Sequence, residues 1–184
     1  MSNISEILGV RSVPLVRSLN VRAGERKKTP QAGAPYRSTK TYTQNEGLSC
    51  CFRQWRASHS HCSLLHGYSL SFHLVFAAHE LDEMNWVFDF GGLKPVKAWL
   101  HHMFDHTMLV SDDDPQLETF QELAARGVVN LRILPAVGCE ATARQVHEYV
   151  NRFVQEQSKG RVWLESVEVG EHTGNSAIYS EVRP

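Results

Sequence analysis

The spacing of apolar residues along the chain predicts where its helices lie. Between residues 93 and 104, apolar side chains recur three or four positions apart, at Leu93, Val96, Leu100, Met103 and Phe104. The segment from Cys139 to Gln157 shows the same spacing through Ala143, Val146, Val150 and Phe153. Residues at these intervals share one face of an α-helix, so both segments are predicted to be amphipathic helices. A shorter helix is predicted from Pro115 to Ala125, because the preceding Asp112-Asp113-Asp114 run suits a helix start.

Strand patterns lie on both sides of these helices. Aromatic and β-branched residues mark three segments as strands: Ser49–Arg56, Leu70–Phe76 and Val128–Leu134. Near the C-terminus, residues 162–169 alternate between apolar and polar, residues 173–175 suit a turn, and residues 176–182 form the partner strand. Strands followed by helices and then by strands indicate an α+β fold, with an antiparallel sheet and helices on one face.

The composition narrows the class of protein. A chain of 184 residues is long enough for one sizeable core, and its formal net charge of -1 gives no field that would gather nucleic acid. We find no apolar run near the roughly 18 residues that cross a bilayer, and no secretory signal at the N-terminus. The four cysteines, at positions 50, 51, 62 and 139, form no disulfide framework. We therefore expect a cytoplasmic protein with reduced thiols and with neither nucleic acid nor membrane among its partners.

The first 45 residues differ from the rest of the chain. They combine basic residues with Pro, Gly, Ser and Thr and show little periodicity. We interpret residues 1–45 as an N-terminal extension and residues 46–184 as the main domain. Two alternatives stay open for the extension: a loosely ordered segment, or a β-like piece such as Val13–Val21 that docks on the main body or on a neighbouring subunit.

A cluster of metal-binding side chains lies between the first two predicted strands. His59, His61, Cys62 and His66 fall within eight positions of one another. Imidazole nitrogen is a favoured zinc donor, and three protein ligands with an open fourth position are the usual catalytic arrangement. Residues two apart on a strand share a face, so His59 and His61 are predicted to point the same way. For any single histidine, a surface or hydrogen-bonded core role is the alternative.

Five motifs in order resemble one known family, the 6-pyruvoyl-tetrahydropterin synthase and 6-carboxytetrahydropterin synthase group. Each motif is weak by itself, but their order along residues 49–182 is specific. The motifs are Trp55-Arg56-Ala57-Ser58-His59, Cys62-Ser63-Leu64-Leu65-His66-Gly67, Asn85-Trp86-Val87-Phe88-Asp89-Phe90, Phe104-Asp105-His106 and Val169-Gly170-Glu171.

The resemblance implies the tunnelling fold (T-fold), in which small α+β subunits join their sheets into an oligomeric barrel. It implies a homo-oligomer, a trimer or a hexamer of paired trimers, with active sites between subunits. It also implies a zinc ion held by three histidines, which acts as a Lewis acid on 7,8-dihydroneopterin triphosphate. The expected activity is that of a zinc-dependent lyase similar to 6-carboxytetrahydropterin synthase, on the route to queuosine-type deazapurine bases.

The same resemblance assigns roles to single residues. Cys62 is expected to accept or donate protons, since a thiol near zinc or histidine readily forms thiolate. Asp105 is expected to orient His106, which relays protons. Glu171 is expected to bind the N–H groups of the pterin. The alternative for Cys62 is a small packing residue. For Asp105-His106 it is a cap at the helix end, and for Glu171 it is a solvated carboxylate.

Two positions depart from the family pattern. The family's second histidine after the glycine is Tyr68 here, so the predicted zinc ligands are His59, His61 and His66. A phenolate ligand from Tyr68, loss of the metal, and His61 as the counterpart of the family's first ligand are open alternatives. Arg144 stands where the family carries a glutamate. A guanidinium at this position favours recognition of phosphate or carboxylate groups.

Two other functions remain open. A 6-pyruvoyl-tetrahydropterin synthase would use the same metal, thiol and Asp-His pair. A pterin- or purine-binding T-fold protein without catalysis would keep Glu171 and lack zinc.

Overall fold

The computed structural model describes residues 33–181, and these contain eight strands and three α-helices. The strands are β1 (Tyr36–Tyr42), β2 (Ser49–Phe52), β3 (His66–Ser69), β4 (Ser71–Ala78), β5 (Thr107–Ser111), β6 (Leu131–Leu134), β7 (Val162–His172) and β8 (Asn175–Ser180). The helices are α1 (Lys94–Phe104), α2 (Leu117–Ala125) and α3 (Cys139–Gln157).

The strands form two four-stranded sheets. The first has the order β1-β4-β7-β8 and is antiparallel throughout, as predicted. The second has the order β3-β2-β5-β6. In it, β2 pairs antiparallel with β3, but the β2–β5 and β5–β6 pairs are parallel. The second sheet is therefore mixed, an arrangement that the sequence pattern did not predict.

The core lies between the first sheet and the helices. Strand β4 alternates from Ser71 to Phe76, so Phe72, Leu74 and Phe76 are fully buried on one face while the residues between them are part-exposed. Helix α3 packs against β7 through the apolar face that its periodicity predicted, which includes Val146 and Val150. Each such side chain contributes about 1.5–3 kcal/mol by leaving water. This packing fixes the positions of the strand ends that carry the candidate site.

The predicted helices are confirmed, and α3 has the predicted bounds. The strand predicted over Ser49–Arg56 is shorter than expected, because it ends at Phe52 and residues 53–60 form turns. Residues 36–42, which the sequence placed in the extension, are the edge strand β1, paired along its whole length with β4. The rest of that extension up to residue 32, including Val13–Val21, lies outside the described residues.

The α-helices of the described part of the chain are too short or too polar to cross a membrane.

Candidate functional site

The loop that carries the predicted histidines, residues 53–65, is fixed to the body of the protein at its start. Arg53 donates two hydrogen bonds to Asp114, at 2.8 and 2.6 Å, and the Asp114 side chain is only 1% exposed. The Gln54 side chain donates to the backbone oxygen of Val137 at 2.7 Å. The backbone N–H of Gln54 also donates to the carbonyl of Cys62 at 2.7 Å, so the two ends of the loop are tied together.

His59, His61 and Cys62 lie at the exposed tip of this loop. His59 is in a turn, and His61 and Cys62 belong to a single 3-10 turn, residues 61–63. The Ser60 hydroxyl caps that turn by accepting a hydrogen bond from the Cys62 N–H. Because neither histidine is on a strand, the shared-face argument for His59 and His61 does not hold. All three side chains are exposed to solvent.

His66 occupies the start of β3 and has a defined tautomer. It lies opposite Phe52, and the two ring centroids are 5.0 Å apart. The Nδ1 atom of His66 is 2.8 Å from the carbonyl oxygen of Leu64. A carbonyl oxygen only accepts, so Nδ1 carries the proton and donates it. The Nε2 atom is then left with a lone pair, as a metal ligand or proton acceptor requires.

Tyr68 connects β3 to the end of β7. Its ring centroid lies 5.7 Å from that of His66 and 6.0 Å from that of His172. The pKa of Tyr68 is raised, first by desolvation and then by the charge of Glu171, with smaller electrostatic contributions from Cys62 and Cys139. Tyr68 therefore stays a neutral phenol, and these side chains form one electrostatic group, named here the Glu171 cluster.

Cys139 is the buried thiol of the Glu171 cluster. Burial raises its pKa to about 12, and the charge of Glu171 and a hydrogen bond to that carboxylate contribute further. Cys139 therefore remains a thiol at neutral pH and is a donor to Glu171. Sequence reasoning missed this residue, since a lone cysteine at a helix start carries no signal of what it faces.

Asp105 and His106 follow the end of α1. Nδ1 of His106 bonds to one oxygen of Asp105, and Nδ1 of His101 lies 3.2 Å from the other. The pKa of Asp105 is lowered, first by the hydrogen bond from His106 and then by that from His101. The structure thus brings the predicted pair together and adds His101, which lies outside the five family motifs. The available signal in the sequence was that His101 lies four positions before Asp105, a spacing at which side chains of a helix meet.

The Asp105–His106 pair and the Glu171 cluster lie on different faces of the second sheet. Tyr68 is opposite Cys50 in the β2–β3 register, whereas the N–H of His106 bonds to the carbonyl of Ser49, one position before Cys50 on β2. Successive residues of a strand point to opposite faces. Within one chain, the predicted proton relay therefore does not reach the Glu171 cluster.

The predicted zinc ligands do not converge in a single subunit. Within residues 33–181, His, Cys, Asp and Glu side chains form no group of three or more that could hold a metal ion. His66 has the required tautomer, but His59 and His61 lie at the loop tip. The residues as placed do not form the three-histidine set, so that ligand set stays a prediction from the sequence.

Arg144, the second departure from the family pattern, is an exposed residue in the early part of α3. It donates to Glu148 at 2.9 Å, one turn further along the helix. Thr142, which fits the family pattern, is 2% exposed and belongs to the core. Within this chain, then, the Arg144 guanidinium is engaged by its own helix.

Comparison with known proteins agrees with the fold and the motifs. The family model of 6-pyruvoyl tetrahydropterin synthase matches residues 41–182. The 6-carboxy-5,6,7,8-tetrahydropterin synthase of Rickettsia bellii is 33% identical over 57 residues, which cover 30% of this chain and 41% of that protein. The match thus spans about two fifths of the curated relative's length.

Solved structures share the fold at low sequence identity. An uncharacterized protein from Wolinella succinogenes is 18% identical, with a TM-score of 0.67 over 80% of this chain and 98% of its own. The 6-pyruvoyl tetrahydropterin synthase of Plasmodium vivax is 12% identical, with a TM-score of 0.56 over 79% and 98%. These structures confirm the α+β tunnelling fold expected from the resemblance. Since the family model also covers most of the described residues, the chain belongs to the 6-pyruvoyl tetrahydropterin synthase family.

Proposed function

We propose that this chain is a lyase of pterin or deazapurine biosynthesis that acts on 7,8-dihydroneopterin triphosphate, in the manner of a 6-carboxytetrahydropterin synthase. The observation that carries the proposal is the row of rings formed by His66, Tyr68 and His172 at the end of β7, where the charge of Glu171 helps to raise the pKa of Tyr68. Family membership and the name of the Rickettsia relative support the reaction class. The proposal keeps the cytoplasmic location expected from the reduced cysteines.

Glu171 is the proposed anchor for the heterocycle. It is half-buried at the end of β7, and its charge raises the pKa of both Tyr68 and Cys139. A carboxylate accepts two parallel hydrogen bonds from the amino and ring N–H groups of a pterin, and such charge-assisted contacts are strong. Glu171 would then fix the ring, and with it the position of the side chain that reacts.

Cys62 is the proposed proton carrier for the propyl side chain. It is the exposed thiol of the Glu171 cluster, while Cys139 is held protonated by burial. Removal of triphosphate and rearrangement of the side chain need a proton taken from a carbon next to oxygen. A thiolate positioned beside the bound heterocycle supplies that base.

Asp105 and His106 are the proposed partners of Cys62 in proton transfer. Because they lie on the other face of the sheet, we propose that a second copy of the chain brings its own pair to the Glu171 cluster. A homo-oligomer, a trimer or hexamer, would meet this requirement. The Nε2 atom of His106 is the free nitrogen, since Nδ1 is bonded to Asp105.

Zinc dependence belongs to the same proposal. It is supported by the tautomer of His66, which leaves Nε2 with a lone pair, and by the imidazoles of His59 and His61 on the adjoining loop. Bound zinc would supply Lewis acidity toward a substrate oxygen. We draw no step through the metal, because the three predicted ligands do not converge in this chain.

Incubation of the purified protein with 7,8-dihydroneopterin triphosphate, followed by product identification, tests the proposal. We expect triphosphate, a 6-carboxytetrahydropterin and a two-carbon aldehyde, because the carboxyl group keeps one carbon of the three-carbon side chain and the other two must leave. A 6-pyruvoyl product, which keeps all three carbons, would instead favour the nearest alternative. Replacement Cys62→Ala should lower turnover by roughly 10²–10⁴-fold with an unchanged circular dichroism spectrum. Cys51→Ala, which removes a half-buried thiol on the other face, is the matched control. Equal activity in the two variants would remove Cys62 from the mechanism.

A non-catalytic pterin- or purine-binding protein is the second candidate. Tyr68 favours it, since a neutral phenol stands where the family carries a histidine. Such a protein would bind the heterocycle through Glu171 and show no turnover. Binding that is lost in Glu171→Gln, together with intact substrate after incubation, would favour the binder over the lyase.

A further inference from the structure

We propose that His101 is a positioning residue for the Asp105–His106 pair, because it holds the second oxygen of the Asp105 carboxylate while the first oxygen bonds to His106. This inference rests on the proposed function, in which the pair transfers protons. His101 lies one turn before Asp105, on the last turns of α1.

His101, Asp105 and His106 form a hydrogen-bonded series in which His106 is the most exposed member. Nδ1 of His101 is 3.2 Å from Oδ2 of Asp105, and Nδ1 of His106 bonds to Oδ1. The His101 side chain is 33% exposed, Asp105 is 36% exposed and His106 is 89% exposed. The outermost imidazole is therefore the one that meets a substrate, and His101 stands behind the carboxylate.

The protonation state of the Asp105 carboxylate determines which nitrogen atoms of His101 and His106 carry protons. The pKa of Asp105 is lowered by its two histidine partners, so Asp105 is ionised at neutral pH and accepts hydrogen bonds only. Both histidines must then donate from Nδ1. Each oxygen of the Asp105 carboxylate is thus engaged by one imidazole.

The backbone at His106 is fixed independently of the side chains. His106 has φ 53°, in the left-handed region that is uncommon for residues other than glycine, and its N–H donates to the carbonyl of Ser49 at 2.8 Å. The Asp105 N–H closes α1 by donating to the carbonyl of His101. With the main chain held in this way, the direction of the His106 ring depends on the carboxylate, and the carboxylate depends on His101.

Other charged groups near His101 come from α1 and from the turn after β1. Lys97 and Glu46 form an ion pair at 2.7 Å, and the pKa of Glu46 is lowered first by its hydrogen bond from Lys97, with a smaller contribution from the charge of His101. These two groups stay in place when His101 is replaced. A changed pKa of Asp105 in a His101 variant therefore reports the loss of His101 itself, first of its hydrogen bond and then of its charge.

The test compares His101→Leu with His101→Gln, whose amide restores a donor, and with His102→Leu as a control. His102 is the adjacent histidine of α1, and it accepts from Arg132 through its backbone oxygen only. Carboxyl NMR, with the Asp105 signal assigned by its loss in Asp105→Asn, gives the pKa of Asp105 without any activity measurement. Steady-state kinetics on the substrate supplies kcat and KM.

We expect His101→Leu to raise the pKa of Asp105 and to lower kcat by roughly 10- to 100-fold, the scale of a misplaced catalytic group, at unchanged KM. His101→Gln should recover most of both effects, and His102→Leu should match the wild type. An unchanged pKa of Asp105 in His101→Leu, or equal kcat in His101→Leu and His102→Leu, overturns the inference. Absence of turnover by the wild type removes the proposed function, whereas the carboxyl titration still decides whether His101 holds Asp105.

Discussion

Arg53 and Asp114 form a doubly hydrogen-bonded ion pair between two loops that lie 61 positions apart in the chain. The Asp114 carboxylate is 1% exposed and the Arg53 side chain is 20% exposed. The guanidinium also lies 5.7 Å from the Phe120 ring centroid. This pair joins the loop that carries Cys62 to the body of the protein, and its removal should therefore affect stability first.

The replacement Asp114→Asn should lower the free energy of unfolding by about 3 kcal/mol, because it leaves the part-buried Arg53 guanidinium without its counter-charge. Urea denaturation followed by tryptophan fluorescence measures this change. Asp113→Asn is the control, since Asp113 pairs with Arg56 on the exposed side of the same turn. A loss in Asp113→Asn as large as in Asp114→Asn would contradict the role given to the buried pair.

Acid should reduce stability through the same carboxylate. The pKa of Asp114 is lowered, first by the hydrogen bonds from Arg53 and further by a backbone N–H and the Arg53 charge. A folded-state pKa below the unfolded value of about 3.9 adds stability at higher pH, and that stability is lost as pH falls through the folded value. We expect the difference in unfolding free energy between the wild type and Asp114→Asn to shrink from pH 6 to pH 3. A difference that stays constant over this range would show that the stability supplied by the Arg53–Asp114 pair does not depend on the titration of Asp114.

Gly138 should not tolerate a side chain. It has φ 102°, and a Cβ there would strike the Gln54 amide that binds Val137. Gly138→Ala should cost about 1–3 kcal/mol from backbone strain and roughly 1 kcal/mol more from the lost hydrogen bond. Gly160→Ala provides the matched control, because Gly160 has φ 83° with open space around its Cβ position. Thermal unfolding should show a larger loss of stability for Gly138→Ala than for Gly160→Ala. Equal losses of stability in the two variants would rule out the clash with Gln54.

Tyr68 should limit metal binding at this site. The ring centroids of Tyr68 and His66 are 5.7 Å apart, and Tyr68 stays protonated because its pKa is raised. Tyr68→His restores the histidine of the family pattern and should raise zinc affinity, since neutral imidazole is the better donor. Competition with a chromophoric chelator measures the affinity, and Tyr68→Phe is the control that removes only the hydroxyl. Metal content of the wild type, measured in parallel, tests the predicted zinc itself.

Local pattern was enough to predict much of the fold. The period of apolar residues in α3 predicted both ends of that helix, because a helix is built from contacts between residues three and four apart. Alternation and turn residues predicted the hairpin of β7 and β8 for the same reason. The order of the five motifs indicated the family, and Asp105-His106 was recognised as a pair because the two residues are adjacent.

The tertiary structure alone decided the rest, since those features depend on residues far apart in the chain. The parallel pairing of Cys50 with Thr107 joins β2 to β5 across two intervening strands and a helix, and no local pattern encodes it. The loop of His59 and Cys62 is shaped by Asp114 and Val137, which is why its strand-like composition misled the sequence analysis. The sequence by itself determined which residue types are present and in what order, whereas chain packing decided that Tyr68 lies between His66 and His172 and that His106 faces away from it.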